Sequence, residues 1–123
     1  MFKSFLLVGI GSFFGGGFRY LLSSFVGTHM GTGFPWGTFA VNVIGCFIIG
    51  GLSALAERDG FLPENVRLLL TVGLCGGFTT FSTFANESFG LLRSGHWLIF
   101  SLYILLSLVV GIAALVAAYK LLH

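Results

Sequence analysis

Polar side chains are concentrated in an apolar stretch between Arg67 and Glu87, which are separated by nineteen uncharged residues. At about 100° per residue, one arc of a helix collects most of these polar side chains: Thr80, Ser82, Thr83, Asn86 and Glu87. Phe81 and Phe84 flank the arc. Hydroxyl groups, amide N–H groups and aromatic ring edges can replace the water around a small anion. The pattern indicates a polar path, although such residues also join membrane helices by hydrogen bonds.

A glycine pair, Gly76-Gly77, lies in the middle of the same stretch. Glycine frees the backbone to leave helical geometry, and in lipid each unsatisfied N–H or C=O group costs several kcal/mol. We therefore expect a helix break at this pair, with carbonyl groups that a partner chain or an ion must satisfy. The alternative is that Gly73-x-x-x-Gly77 only allows two helices to pack closely.

Four polar residues in the remaining apolar runs are further candidates for the path. Asn42 needs hydrogen-bond partners in the membrane, either on another helix or as an N–H donor to an anion. Arg19 is either an anchor that reaches the interface or a positive charge at the mouth of an anion path. Tyr103 and Ser107 share one face of the last run, which packing alone could explain.

The elements that carry these residues are four apolar runs at about 4–26, 37–56, 66–92 and 97–120. The chain is 56% hydrophobic and 8% charged with a mean hydropathy of +1.02, whereas soluble domains carry about 25% charged residues. The sequence therefore predicts an all-α membrane protein, a single domain of four transmembrane helices whose third helix is broken.

The positive charges favour one orientation in the lipid bilayer only slightly. With four spans, the chain termini share a side with Lys3, Arg58, Arg67 and Lys120, while Arg93 and Arg19 belong to the other side. This is a modest bias toward cytoplasmic termini. A four-helix bundle of this size fills its centre with side chains, so a conduit needs a second chain.

Composition and spacing disfavour several other functions. The ten charges are scattered without a basic stripe, which argues against nucleic-acid binding. No nucleophile and base are suitably spaced for an enzyme, and Cys46 and Cys75 lack metal-ligand spacing. A four-helix multidrug-resistance exporter is the alternative, but it would need a carboxylate deep in the first span. A purely structural membrane partner would leave the break and the polar arc unexplained.

The run GLCGGFTTFSTF, residues 73–84, closely resembles the signature of the small bacterial fluoride channels, the Fluc or CrcB family. The glycine-rich first run ending in Arg19-Tyr20 and the GTFAVN sequence at 37–42 are also similar. The resemblance covers the whole chain. It implies a fluoride-selective channel that exports the ion by passive electrodiffusion across the bacterial inner membrane. It also implies an antiparallel homodimer, inserted in both orientations.

The same resemblance implies roles for individual residues. The ring edges of Phe81 and Phe84 would face fluoride, Glu87 would lie near one end of the path, and Arg19 near the vestibule. Side chains along the path would be Asn42, Ser82, Thr83, Tyr103 and Ser107. Main-chain carbonyls of Gly76 and Thr79, doubled by the twofold axis, would hold a central Na⁺ ion. In the family a hydroxyl follows one turn beyond Ser107, where this chain has Gly111.

Overall fold

The computed structural model describes residues 1–31, 33–58 and 62–123, and these residues form helices and short connections without a strand. The helices are α1 (Phe2–Met30), α2 (Trp36–Ala56), α3 (Glu64–Arg67), α4 (Gly76–Phe78), α5 (Ser82–Arg93) and α6 (Trp97–Leu122). A π-helical segment, Leu68–Cys75, joins α3 to α4. Thr32, in the expected first turn, and Asp59 and Gly60, in the loop after α2, lie outside the described residues.

Four helical segments of the described chain are long and apolar enough to cross a membrane. They are α1, α2, α6 and the combined segment Glu64–Arg93, each with a mean hydropathy of at least 1.5 over its best window. The expectation of four membrane-crossing helices with an interrupted third one is confirmed. The chain is therefore a multi-pass membrane protein.

Helix α1 continues further than the glycine-rich sequence after Val26 suggests. The first apolar run was expected to end at about residue 26, but the helix ends at Met30. The Thr28 hydroxyl donates to the Ser24 oxygen at 2.8 Å, and the His29 Nδ1 lies 2.8 Å from the Phe25 oxygen. These side chains add a second donor to carbonyl groups near the end of the helix.

The break in the third span does not occur at Gly76-Gly77, so its expected position is wrong. Gly76 is helical, with φ −62° and ψ −39°, and α4 continues to Phe78. Thr79 is extended, with φ −86° and ψ 160°, and α5 begins at Ser82. Gly77 instead allows close packing, because a Cβ there would lie 2.8 Å from the Ser12 Cα and oxygen on α1.

The break is fixed between two neighbouring helices. Helix α1 packs along the π-helical segment and α4, while α2 packs along α6. A Cβ on Gly45 of α2 would overlap the Thr79 side chain, and one on Gly15 of α1 would overlap the Leu74 oxygen. The absent side chains let both helices approach the interrupted span closely, so the extended segment lies within the bundle.

Candidate functional site

Asn42 on α2 is hydrogen-bonded to the backbone of the break. Its Nδ2 donates to the Thr80 oxygen at 3.0 Å, and the Thr80 N–H donates to its Oδ1 at 2.9 Å. One side-chain amide thus satisfies both backbone groups of a residue that has left the helix, as a low-dielectric environment requires. The second Nδ2 hydrogen is not needed for this pairing and is available to a ligand.

These hydrogen bonds leave two carbonyl groups without their usual helical donors. In a continuous helix the Thr80 N–H would donate to the Gly76 oxygen, and the Thr83 N–H to the Thr79 oxygen. The Thr80 N–H is instead bonded to Asn42, and the Thr83 N–H donates to the Thr80 Oγ1 at 3.2 Å. The oxygens of Gly76 and Thr79 are the two that the family resemblance associates with a cation.

Arg19 on α1 contacts the same interrupted segment. Its Nε donates to the Gly77 oxygen at 3.1 Å, and the side chain is half-buried. The guanidinium thus supplies a hydrogen-bond donor to the break itself. It also brings a positive charge near the polar segment, which lowers the cost of an anion nearby.

A cavity of about 300 Å³ lies beside the break, and we call it the break cavity. Its lining is Asn42, Cys46, Ile49, Thr79, Thr80, Phe81, Phe84, Ser107 and Leu108. The Ser107 Oγ is buried and has no hydrogen-bond partner among the described residues. Buried hydroxyl groups are nearly always paired, and a polar group in this cavity would supply the missing partner.

A second cavity, of about 630 Å³, has Glu87 in its lining and is called the Glu87 cavity. Thr38, Thr83 and Glu87 contribute polar groups to its lining. The fully buried Tyr103 donates its hydroxyl to the Glu87 Oε1 at 2.9 Å. The Tyr103 and Phe84 ring centroids are 4.9 Å apart, so a ring that lines the break cavity packs against the tyrosine that is bonded to Glu87.

The predicted polar arc of the third span divides into two groups. Thr83 and Glu87 line the Glu87 cavity, whereas Ser82 and Asn86 are exposed on the outer surface of α5. The arc is too wide for one cavity, so only the half that faces α2 and α6 is internal. Ser82 therefore lies away from both cavities in the single chain.

Phe81 links the break cavity to the outer surface. Its ring centroid is 6.1 Å from that of Phe84, and the side chain is 79% exposed although it also lines the break cavity. Gly76 is exposed on the same interrupted span. The cavity thus reaches the surface at Phe81.

One side chain and one backbone role in the site were not predicted from the sequence. Cys46 lines the break cavity one helical turn after Asn42, and this i, i+4 spacing could have identified it. Thr80 contributes through its backbone and its Oγ1. No sequence pattern reports its backbone role, because it depends on a side chain from another helix.

Comparison with known proteins gives a consistent result. A family model described as CrcB-like protein, camphor resistance (CrcB), matches residues 6–119. A Chlorobaculum tepidum protein named fluoride-specific ion channel FluC is 52% identical over 113 residues, covering 92% of this chain and 89% of that protein. A Phocaeicola vulgatus protein of the same name is 51% identical over 110 residues, covering 89% and 90%. One from Leptospira interrogans is 46% identical over 110 residues, covering 89% and 87%.

Proposed function

The chain belongs to the CrcB family, and we propose on that basis that it is a fluoride-selective ion channel, as its relatives are named. It is a multi-pass protein of the bacterial inner membrane and transports an ion rather than catalysing a reaction. The observation that carries the proposal is the buried, unpartnered Ser107 hydroxyl in a cavity shared with Asn42 and two aromatic rings. Passive outward flow through this path would lower the cytoplasmic fluoride concentration.

The lining groups suit a small, strongly hydrated anion. Fluoride gives up its water only where donors replace it, and the chain offers the Ser107 hydroxyl and the free hydrogen of the Asn42 amide. The edges of the Phe81 and Phe84 rings carry partial positive charge. From the break cavity, the path continues past Phe84 and Tyr103 to Thr83, and Glu87 marks its end.

The path is completed, in this proposal, by a second copy of the chain. Phe81, Gly76 and Ser82 are exposed in the interrupted span, although two of them carry polar groups that lipid cannot satisfy. A homodimer would cover this surface and close the break cavity. The weak charge bias between the two sides is compatible with antiparallel protomers inserted in both orientations.

A sodium ion at the axis of that dimer would bind the carbonyl oxygens that the break leaves without hydrogen-bond donors. The Gly76 and Thr79 oxygens have lost their helical donors, and two copies would offer four such carbonyls to one hard cation. These four carbonyl oxygens are therefore suitable ligands for Na⁺. A buried cation would supply positive charge near the path, without an ionised side chain in it.

Ion efflux from liposomes tests the proposed function. Purified protein is reconstituted in vesicles loaded with potassium fluoride or potassium chloride, and the vesicles are diluted into a buffer of impermeant ions. Valinomycin is then added so that K⁺ leaves with the anion and no opposing membrane potential builds up. We expect rapid fluoride efflux that requires valinomycin, with chloride retained as in protein-free vesicles. Equal release of both anions, or no fluoride release by a folded protein, would reject a fluoride-selective channel.

A further inference from the structure

Cys46, which lines the break cavity, packs against Gly111 of the neighbouring helix α6. Cys46 lies one turn after Asn42 on α2, and Gly111 lies one turn after Ser107 on α6. A Cβ on Gly111 would lie 3.4 Å from the Cys46 Sγ. The sulfur atom thus covers the part of α6 that Gly111 leaves without a side chain, and Cys46 itself lines the cavity.

We propose that Cys46 extends the fluoride path by one helical turn, with its S–H group as the hydrogen-bond donor beyond Ser107. This inference rests on the proposed fluoride channel and adds a residue to its path. Independent support comes from the Ser107 Oγ, which lines the same cavity, is buried and has no partner among the described residues. A polar occupant of the cavity that Cys46 lines would supply a partner for this hydroxyl.

The other cysteine provides a contrast within the same chain. Cys75 is 1% exposed in the π-helical segment, and it is not among the residues that line either cavity. Cys46 is half-buried and faces the break cavity. A small thiol reagent that enters the path should therefore reach Cys46 and leave Cys75 unmodified.

Substitution separates a donor role from simple packing. A thiol is a weak hydrogen-bond donor and a hydroxyl is a stronger one. Cys46→Ser should therefore conduct fluoride at least as fast as the wild type, and Cys46→Ala should conduct more slowly. The double variant Cys46→Ala/Gly111→Ser places a hydroxyl on α6, in the space that the sulfur vacates, and should restore flux. Unchanged flux in Cys46→Ala, or a loss that neither hydroxyl restores in an intact dimer, would overturn the proposal.

Chemical modification supplies a second readout on the same liposomes. Methyl methanethiosulfonate converts an accessible thiol to a methyl disulfide, releasing methanesulfinate. We expect the wild type and Cys75→Ser to lose fluoride efflux after treatment, and Cys46→Ser to keep it. Mass spectrometry should find the added group on Cys46.

The outcomes distinguish this inference from the function on which it rests. An unmodified Cys46, a modified Cys46 with normal efflux, or a block that persists in Cys46→Ser would each overturn the role of the thiol. Absence of fluoride efflux before any treatment would reject the channel itself.

Discussion

The two phenylalanines of the break cavity differ in their packing contacts and in their exposure. Phe84 packs against Tyr103, whereas Phe81 is mostly exposed and meets Phe84 at a tilt of 48°. Both rings line the same cavity as the unpartnered Ser107 hydroxyl. Aliphatic side chains have no electropositive edge, so replacing either ring with one would remove a favourable contact for an anion in this cavity.

Replacing both rings should suppress transport without unfolding the protein. Phe81→Ile/Phe84→Ile should slow fluoride efflux roughly tenfold or more, since aromatic edge contacts are worth about 1 kcal/mol each. Phe89→Ile is the matched control, because Phe89 is an exposed ring on α5 that contacts Arg93. Efflux and gel-filtration elution are measured together. Normal flux in the double variant would remove both rings from the path.

At the scale of elements, the interruption of the third span depends on a neighbouring helix. The extended segment at Thr79 and Thr80 persists because Asn42 on α2 satisfies the backbone of Thr80, and Gly45 makes room for Thr79. Arg19 on α1 adds a donor to the Gly77 oxygen. The break is therefore a product of tertiary contacts and is not encoded by its own residues alone.

Removing the Asn42 amide should destabilise the break. Asn42→Ala leaves the Thr80 N–H and oxygen without partners, and each orphaned group costs about 1–3 kcal/mol. We expect a lower unfolding temperature in detergent together with slower fluoride efflux. Asn65→Ala is the control, because Asn65 is exposed on α3. An unfolding temperature equal to that of the wild type would show that the break does not need this amide.

The helices were more predictable from sequence than the break. Apolar runs long enough to span a bilayer identify the four membrane-crossing helices, because the thickness of the hydrocarbon sets their length. The position of the break was mistaken, since Gly76-Gly77 serves close packing with α1, and the extended Thr79 depends on α2. The spacing of Cys46 from Asn42 could have indicated its place in the cavity lining, whereas its contact with Gly111 depends on how α2 and α6 pack.

For the whole molecule, the exposed polar and aromatic groups of the interrupted span favour association with a second chain. Phe81, Ser82 and Gly76 lie on a surface that would otherwise face lipid. A second antiparallel copy covers this surface in the proposed homodimer and brings two sets of orphaned carbonyls together. The path, the dimer and the cation site are thus linked through one segment.

Sodium should stabilise the assembled protein. A ligand that binds only the folded form raises the free energy of unfolding by about 2.7 kcal/mol at a hundred times its dissociation constant. We expect the unfolding temperature to rise when Na⁺ replaces N-methylglucamine at constant ionic strength, and fluoride efflux to fall without Na⁺. Identical melting curves in both buffers would argue against the cation.

Antiparallel protomers should expose both chain ends on both membrane faces. In a background of Cys46→Ser and Cys75→Ser, Ser4→Cys and His123→Cys introduce thiols at exposed positions. An impermeant thiol reagent should label each variant in intact cells and also in inverted vesicles. Labelling confined to one face would show a single orientation and exclude the antiparallel dimer.

The reversal potential in a planar bilayer tests fluoride selectivity most directly. With fluoride on one side, chloride on the other and a common impermeant cation, only a permeant anion carries current. The proposed channel predicts a potential displaced strongly toward the fluoride equilibrium potential and unchanged when the chloride concentration is altered. A reversal potential near zero, or one that follows chloride, would contradict it.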